Sequence, residues 1–276
     1  MKRYLLYSTI LSLLVIMASC HTPRYVYSPA PPNVPYFTKK GDSKISGFYS
    51  GGEADGYGNV SNQGFDIQGA YAVTNHWAVI LNYYNRTEKD MYNVPYNAFD
   101  SSSVRYKRNS LEVGIGYYVP LNRHKTITYN IYAGYGFGGF KINDTGLDSA
   151  RNRYSKYYNC NTGNFFIQGG FNFMPSRYFA FSLMGKISSM YYGYSQSSYT
   201  SQELKYFYLD KLNKRTLTFF EPTFNMQFTV PKCDWLKVEG SLTFSTNTPD
   251  YYPAARSFNG SIGLTIAPSK IFKSKY

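Results

Sequence analysis

The chain has 276 residues, a formal net charge of +13 and an unusual share of aromatics, with 31 Tyr and 20 Phe beside 23 Gly. Its mean hydropathy is negative, and no apolar run after residue 20 is long enough for a helix across a bilayer, which excludes a polytopic helical membrane protein.

Lys2 and Arg3 make a short positive start, and an apolar run of about 13 residues, Leu5 to Met17, follows. A spanning helix needs roughly 20 apolar residues, so residues 1–19 read as a secretory signal peptide. The ending Met17-Ala18-Ser19-Cys20 resembles the lipobox of bacterial lipoproteins, with Met17 where leucine is usual. That resemblance implies that Cys20 is acylated and becomes the first residue of the mature chain. Several acyl chains, at about 0.8 kcal/mol per buried CH₂, would anchor it firmly. An exported basic chain rarely meets nucleic acid. Outer-membrane lipids and lipopolysaccharide phosphates are the expected anionic partners.

Five prolines fall between Pro23 and Pro35, so residues 20–43 read as an extended, lipid-anchored linker that lets the body sit clear of the anchor. From residue 44 the pattern changes to period two. In "FDIQGAYAV", Phe65, Ile67, Gly69, Tyr71 and Val73 fall on one face, and Asp66, Gln68, Ala70 and Ala72 on the other. About ten segments read this way: 44–50, 63–73, 77–86, 105–119, 126–141, 163–173, 177–191, 216–230, 235–245 and 257–267. The connections alternate in length. Long ones cover 51–62, 87–104, 142–162, 192–215 and 246–256; the others are a few residues each.

This alternation resembles a bacterial outer-membrane β-barrel, with short periplasmic turns and long extracellular loops. The expected fold is therefore all-β, an antiparallel transmembrane barrel of about ten strands over residues 44–267, with a basic tail at 268–276. The phase puts both termini on the periplasmic side and the lipid in the inner leaflet of the outer membrane. Cys160 falls in a long outer loop and Cys233 in a periplasmic turn, too far apart for a disulfide. The chain departs from the class at its end, where "PSKIFKSKY" follows the last strand instead of a closing aromatic.

The inward face carries Asp66, Glu112, Lys186, Glu221, Lys237 and Glu239, with Arg86 and Lys44 beside them. Charges of both signs in a narrow lumen should pair, so an ion-pair network that fills it is expected; a small polar pore is the alternative. His21, His76 and His124 fall in the linker and the short turns, away from any serine they would serve as general base. No enzyme, metal site or cofactor is expected. The long loops are rich in Tyr, Ser and Asn, the mixture that paratopes use. Tyr83, Tyr84, Tyr117, Tyr118, Tyr191 and Tyr192 sit at strand ends and suit an interfacial girdle. Tyr92, Tyr96, Tyr157, Tyr194 and Tyr199 lie deeper and are the candidates for an extracellular glycan or protein ligand. The expected role is structural or surface interaction at the outer membrane; a small channel and a periplasmic lipocalin-like carrier are the alternatives.

Overall fold

The structure, a computed structural model, describes residues 24–52, 61–91, 103–147, 151–214, 216–247 and 254–271. A short strand β1 (Tyr25–Tyr27) precedes β2 (Ser43–Gly52), β3 (Ser61–Ala72), β4 (Trp77–Asp90), β5 (Ser103–Pro120), β6 (Ile127–Leu147), β7 (Arg153–Phe173) and β8 (Phe179–Ser197). Helix α1 (Ser201–Tyr206) and a 3₁₀ turn (Leu209–Lys214) follow. Then come β9 (Leu217–Thr229), β10 (Leu236–Phe244), β11 (Thr246–Asn247), β12 (Ala254–Ala255), β13 (Phe258–Ile266) and a terminal turn α2 (Pro268–Ile271).

Strands β2 to β10 pair antiparallel with their chain neighbours, and β13 fits between β10 and β2 to close the barrel at ten strands. Among the described residues, closure gives each of the ten barrel strands a ladder partner on both sides, as a hydrocarbon environment demands. The alternation sorts the faces. Ile45, Phe65, Ile67, Val79, Val113, Ile115, Ile131, Ile167, Leu264 and their neighbours face outward as a continuous apolar belt. Lys44, Asp66, Gln68, Asn82, Glu112, Gln168, Lys186, Glu221 and Glu239 are buried inside. An exposed apolar belt around a charge-bearing middle lumen is the inverse of a soluble β-barrel, so the lipocalin-like carrier does not fit.

The short connections close with side-chain caps. Thr74 Oγ1 accepts from the amides of His76 and Trp77, and Asn122 Oδ1 from those of Thr126 and Ile127. Strand lengths differ around the barrel. β10 and β13 have 9 residues each, enough to cross a membrane at a tilt, whereas β6 and β7 have 21 each. The expected loop at 142–162 is therefore mostly strand. Ladder bonds run to Leu147↔Arg153, because inward Phe140, Ile142 and Tyr158 keep a core to pack on above the belt. β5 to β8 form one tall wall at the long-loop end.

The expectation of a linker standing clear of the body is corrected. Residues 24–37 run through the lumen. Arg24, Val26, Ser28, Asn33 and Val34 are buried, and the chain turns back into the barrel wall at Gly41 (φ 81°). The described N-terminal end lies at the long-loop end, where Arg24 meets Asp144 near the tip of β6, and Phe37 reaches the short-turn end beside Tyr118. The expectation that both termini sit on the short-turn side is corrected: of the described ends, the C-terminal one lies there and the N-terminal one lies at the long-loop end.

Candidate functional site: the plugged lumen and the outer wall

The lumen has three layers. At the short-turn end Phe37 packs with Ala70, Ala72, Ala78, Ile80, Tyr118, Tyr132 and Phe166. At the long-loop end Val26 and Tyr27 join Tyr106, Phe140, Ile142, Tyr192, Phe207, Leu209, Leu212 and Phe219. Residues 199–212 supply much of this upper layer. Thr200 and Glu203 form a reciprocal capping box that starts α1, and the turn after it drops Leu209 and Leu212 into the mouth. The middle layer is polar.

The Pro-rich composition explains how the part of the segment beyond β1, where no ladder runs, tolerates burial. Pro29, Pro31, Pro32 and Pro35 carry no N–H, so their backbone needs acceptor partners only. The wall provides donors at matching heights. Gln68 donates to Pro31 O (2.9 Å), Gln168 to Asn33 O (2.7 Å), Lys44 to Val34 O (3.1 Å) and Asn172 to Pro35 O (2.9 Å). Asn33 donates in return to Gly69 O and to Asn82 Oδ1. Higher up, Tyr192 and Arg108 donate to Val26 O, and Tyr27 stacks on Phe219 at 3.7 Å while its hydroxyl donates to Glu221 (2.7 Å).

The inward charges resolve into separate clusters. Arg86 grips Asp66 with both guanidinium nitrogens at 2.6 and 3.0 Å. A β-carbon at Gly64 would collide with that guanidinium, so glycine is required opposite it. Lys186 pairs with Glu112 at 2.8 Å, and Asn82, Asn164 and Tyr84 also donate to Glu112. Lys44 pairs with Glu239 at 2.9 Å, and Asn225, Gln227 and Thr265 complete that carboxylate. Glu221 stands opposite Lys186 in the ladder and accepts from Tyr27 and Ser188. Lys237 donates to Gln227 (2.7 Å) and lies over the Tyr36 ring. The residues expected inside are thus inside, in several sites instead of one network.

A further cluster lies at the upper rim, where sequence reading had placed loops and linker. Glu88 sits between Arg108 (2.7 Å) and Arg256 (3.2 Å), and Arg256 also holds Asp90. Arg24 pairs with Asp144 at 2.8 Å and lies 3.8 Å from the Phe207 ring centre. The signal for Glu88 and Asp90 was the unbroken alternation from Trp77 onward; Arg24 had none, since only threading puts it there.

Among the ligand candidates, Tyr92 and Tyr96 lie outside the described residues, as does Cys20. Tyr157 and Tyr194 stand on the extended β7 and β8, with Tyr194 85% exposed. Tyr199 is buried and donates to Asp144 (2.9 Å), which removes it from the surface; burial and then the Asp144 charge push its hydroxyl pKa up. Strand parity splits the girdle pairs. Tyr83, Tyr117 and Tyr191 face outward, whereas Tyr118 and Tyr192 are buried and Tyr84 bonds Glu112 inside. Cys160 is buried in β7 opposite Phe140, not in a loop, and it and Cys233 are both free thiols. At the short-turn mouth a cavity of about 500 Å³ is lined by Lys39, Lys125, Arg177, Lys237 and Lys270, with Asp42.

A closed barrel with a lipid-facing belt and an occupied lumen defines the class: the fold is that of bacterial outer-membrane β-barrels. Among solved structures, the chain is similar to the translocator domain of autotransporter NalP from Neisseria meningitidis at 10% identity and a TM-score of 0.51, covering 82% of this chain and 88% of that one. It also matches the outer membrane protease OmpT from Escherichia coli at 12% identity and a TM-score of 0.43, over 84% of this chain and 98% of that one, a likeness too loose to carry an argument. No family model matches this sequence, and no curated protein matches it.

Proposed function

We propose that this protein is a lipid-anchored outer-membrane β-barrel that acts at the cell surface, as a structural or surface-interaction protein and not as a conduit. The occupied lumen carries this reading. Residues 24–37 fill the bore, and residues 199–212 cap it. The tall wall of β5 to β8 meanwhile offers Tyr157 and Tyr194 to an extracellular glycan or protein.

The threading of the described segment supports the outer leaflet for the lipid, instead of the inner leaflet expected. Arg24 pairs with Asp144, and the carbonyl of Tyr25 accepts from Arg108, which stands opposite Phe140, so these contacts hold this end of the segment three to seven residues beyond Phe137, the last outward aromatic of β6. That is roughly 8–18 Å beyond the belt at a strand tilt of about 40°. The four residues back to Cys20 reach at most about 14 Å. The inner leaflet lies a further hydrocarbon core of about 30 Å away, which supports the outer leaflet as the seat of an acylated Cys20.

The test places a thiol at Thr22→Cys in a Cys160→Ser background, with native Cys233 as the periplasmic control. A membrane-impermeant maleimide should label residue 22 on intact cells and Cys233 only after permeabilisation, and mass analysis of the N-terminal peptide should show acylation. Labelling of residue 22 only after permeabilisation overturns the surface N-terminus. An unacylated N-terminus overturns the lipid anchor.

A further inference from the structure

Above the belt, the outward residues of β4, β5 and β6 line up in cross-strand rows. The last apolar row is Tyr83, Leu111 and Phe137. The next row outward is Asn85, Asn109 and Gly139, then Thr87, Lys107 and Lys141, then Lys89, Arg105 and Asn143. Four cations thus occupy two adjacent rows. Lys107 stands directly opposite Lys141, and Lys89 directly opposite Arg105.

Directly opposed like charges repel across a ladder, where side chains are about 5 Å apart, so an arrangement that serves only solubility would mix the signs. The acids of these same strands are absent from this face. Glu88, Asp90 and Asp144 all point inward, buried and paired with Arg108, Arg256 and Arg24. Strand parity therefore puts the described carboxylates of these three strands in the lumen, along with Arg86 and Arg108, and leaves Lys89, Arg105, Lys107 and Lys141 outside. Among the described residues, no carboxylate lies in these rows.

The height of the patch names its ligand. The Lys107–Lys141 row is four residues beyond the last apolar row, about 10 Å above the hydrocarbon at a 40° strand tilt. The headgroup zone occupies roughly the first 5–8 Å on each side, and lysine stems bend toward it by several ångströms. The long-loop leaflet of an outer membrane is the one that carries phosphorylated glycolipid. We infer that Lys89, Arg105, Lys107 and Lys141 form a binding site for the phosphate groups of lipopolysaccharide in the outer leaflet. The inference rests on the outer-membrane orientation of the proposed function, but not on the lipid anchor.

The test uses the full-length barrel in detergent with bisphosphorylated lipid A and its dephosphorylated form as probes. The wild type should retain the bisphosphorylated form about tenfold more tightly, as charge-assisted phosphate contacts would give. The quadruple variant Lys89→Gln, Arg105→Gln, Lys107→Gln, Lys141→Gln should lose that preference. A matched variant at the short-turn mouth, Lys39→Gln, Lys125→Gln, Arg177→Gln, Lys270→Gln, should keep it. All three should show the same heat-modifiable gel mobility; if the patch variant fails to fold, the paired variant Lys107→Gln, Lys141→Gln carries the comparison. Equal retention of both lipids by the wild type, or an unchanged preference in the patch variant, overturns the inference. Pyrophosphate competing as well as lipid A overturns the assignment to a lipid source. Residue 22 labelling only after permeabilisation would fail the orientation on which the inference rests, and it is read separately from the lipid A comparison made in detergent.

Discussion

At the residue scale, the lumen shows how charge is tolerated inside a narrow barrel. Glu112 has four donors, one of them the ammonium of Lys186, so its charge is answered locally. Lys186→Met should leave a buried carboxylate without its counter-charge and cost about 3–5 kcal/mol, read as a lower denaturant midpoint in detergent. Lys186→Met with Glu112→Leu should cost less than the single change. Glu203 offers a pH prediction. Burial alone would raise its pKa, but hydrogen bonds from Lys156 and from Thr200 outweigh burial and hold it below its ordinary 4.5. A carboxyl depressed in the folded state adds stability that is present above the ordinary value and is lost as pH falls through the folded one. The α1 cap should therefore hold above the ordinary 4.5 and loosen as pH falls below it, seen as faster hydrogen exchange over residues 200–212 with β3 and β4 unchanged. Glu203→Gln should exchange faster at pH 7 and lose that acid dependence.

At the element scale, the segment 24–37 is the device that distinguishes this barrel from a pore. It is held by side chains of the wall instead of a continuous ladder, since only Tyr25–Tyr27 pairs with β12. Replacing residues 24–37 with a Gly/Ser segment of equal length should leave the ten-strand ladder intact and open the polar middle of the lumen. In planar bilayers the wild type should be silent and the replacement should give conductance steps. Silence of both would mean that the wall residues collapse inward, and steps from the wild type would return the small-channel reading. The segment's prolines were visible in the sequence and read as a linker, because Pro-rich stretches without partners are extended in solution. What the pattern did not reveal is that Gln68, Gln168, Asn172 and Lys44, each legible as inward, converge on its carbonyls.

At the scale of the whole molecule, the outward belt and the tall wall set where the protein sits. Ile115 is 58% exposed on a strand whose neighbours are Val113 and Tyr117, which only lipid contact justifies. Ile115→Arg should cost about 2–4 kcal/mol near the midplane, whereas an arginine at Asn143, above the belt and opposite Arg105, should cost no more than about 1 kcal/mol; both are read from unfolding in lipid vesicles. The sequence by itself determined the strands, their parity, the alternation of short and long connections and the inward position of the charges, because a two-residue period acts locally. It could not determine where the strands of β6 to β8 stop, since those extensions are held by packing of Phe140, Tyr158 and Tyr192 against the chain's own N-terminal segment. Nor could it show which end Arg24 reaches. That depends on contacts such as Arg24 with Asp144, 120 residues apart, and only closure of the barrel around the segment brings them together.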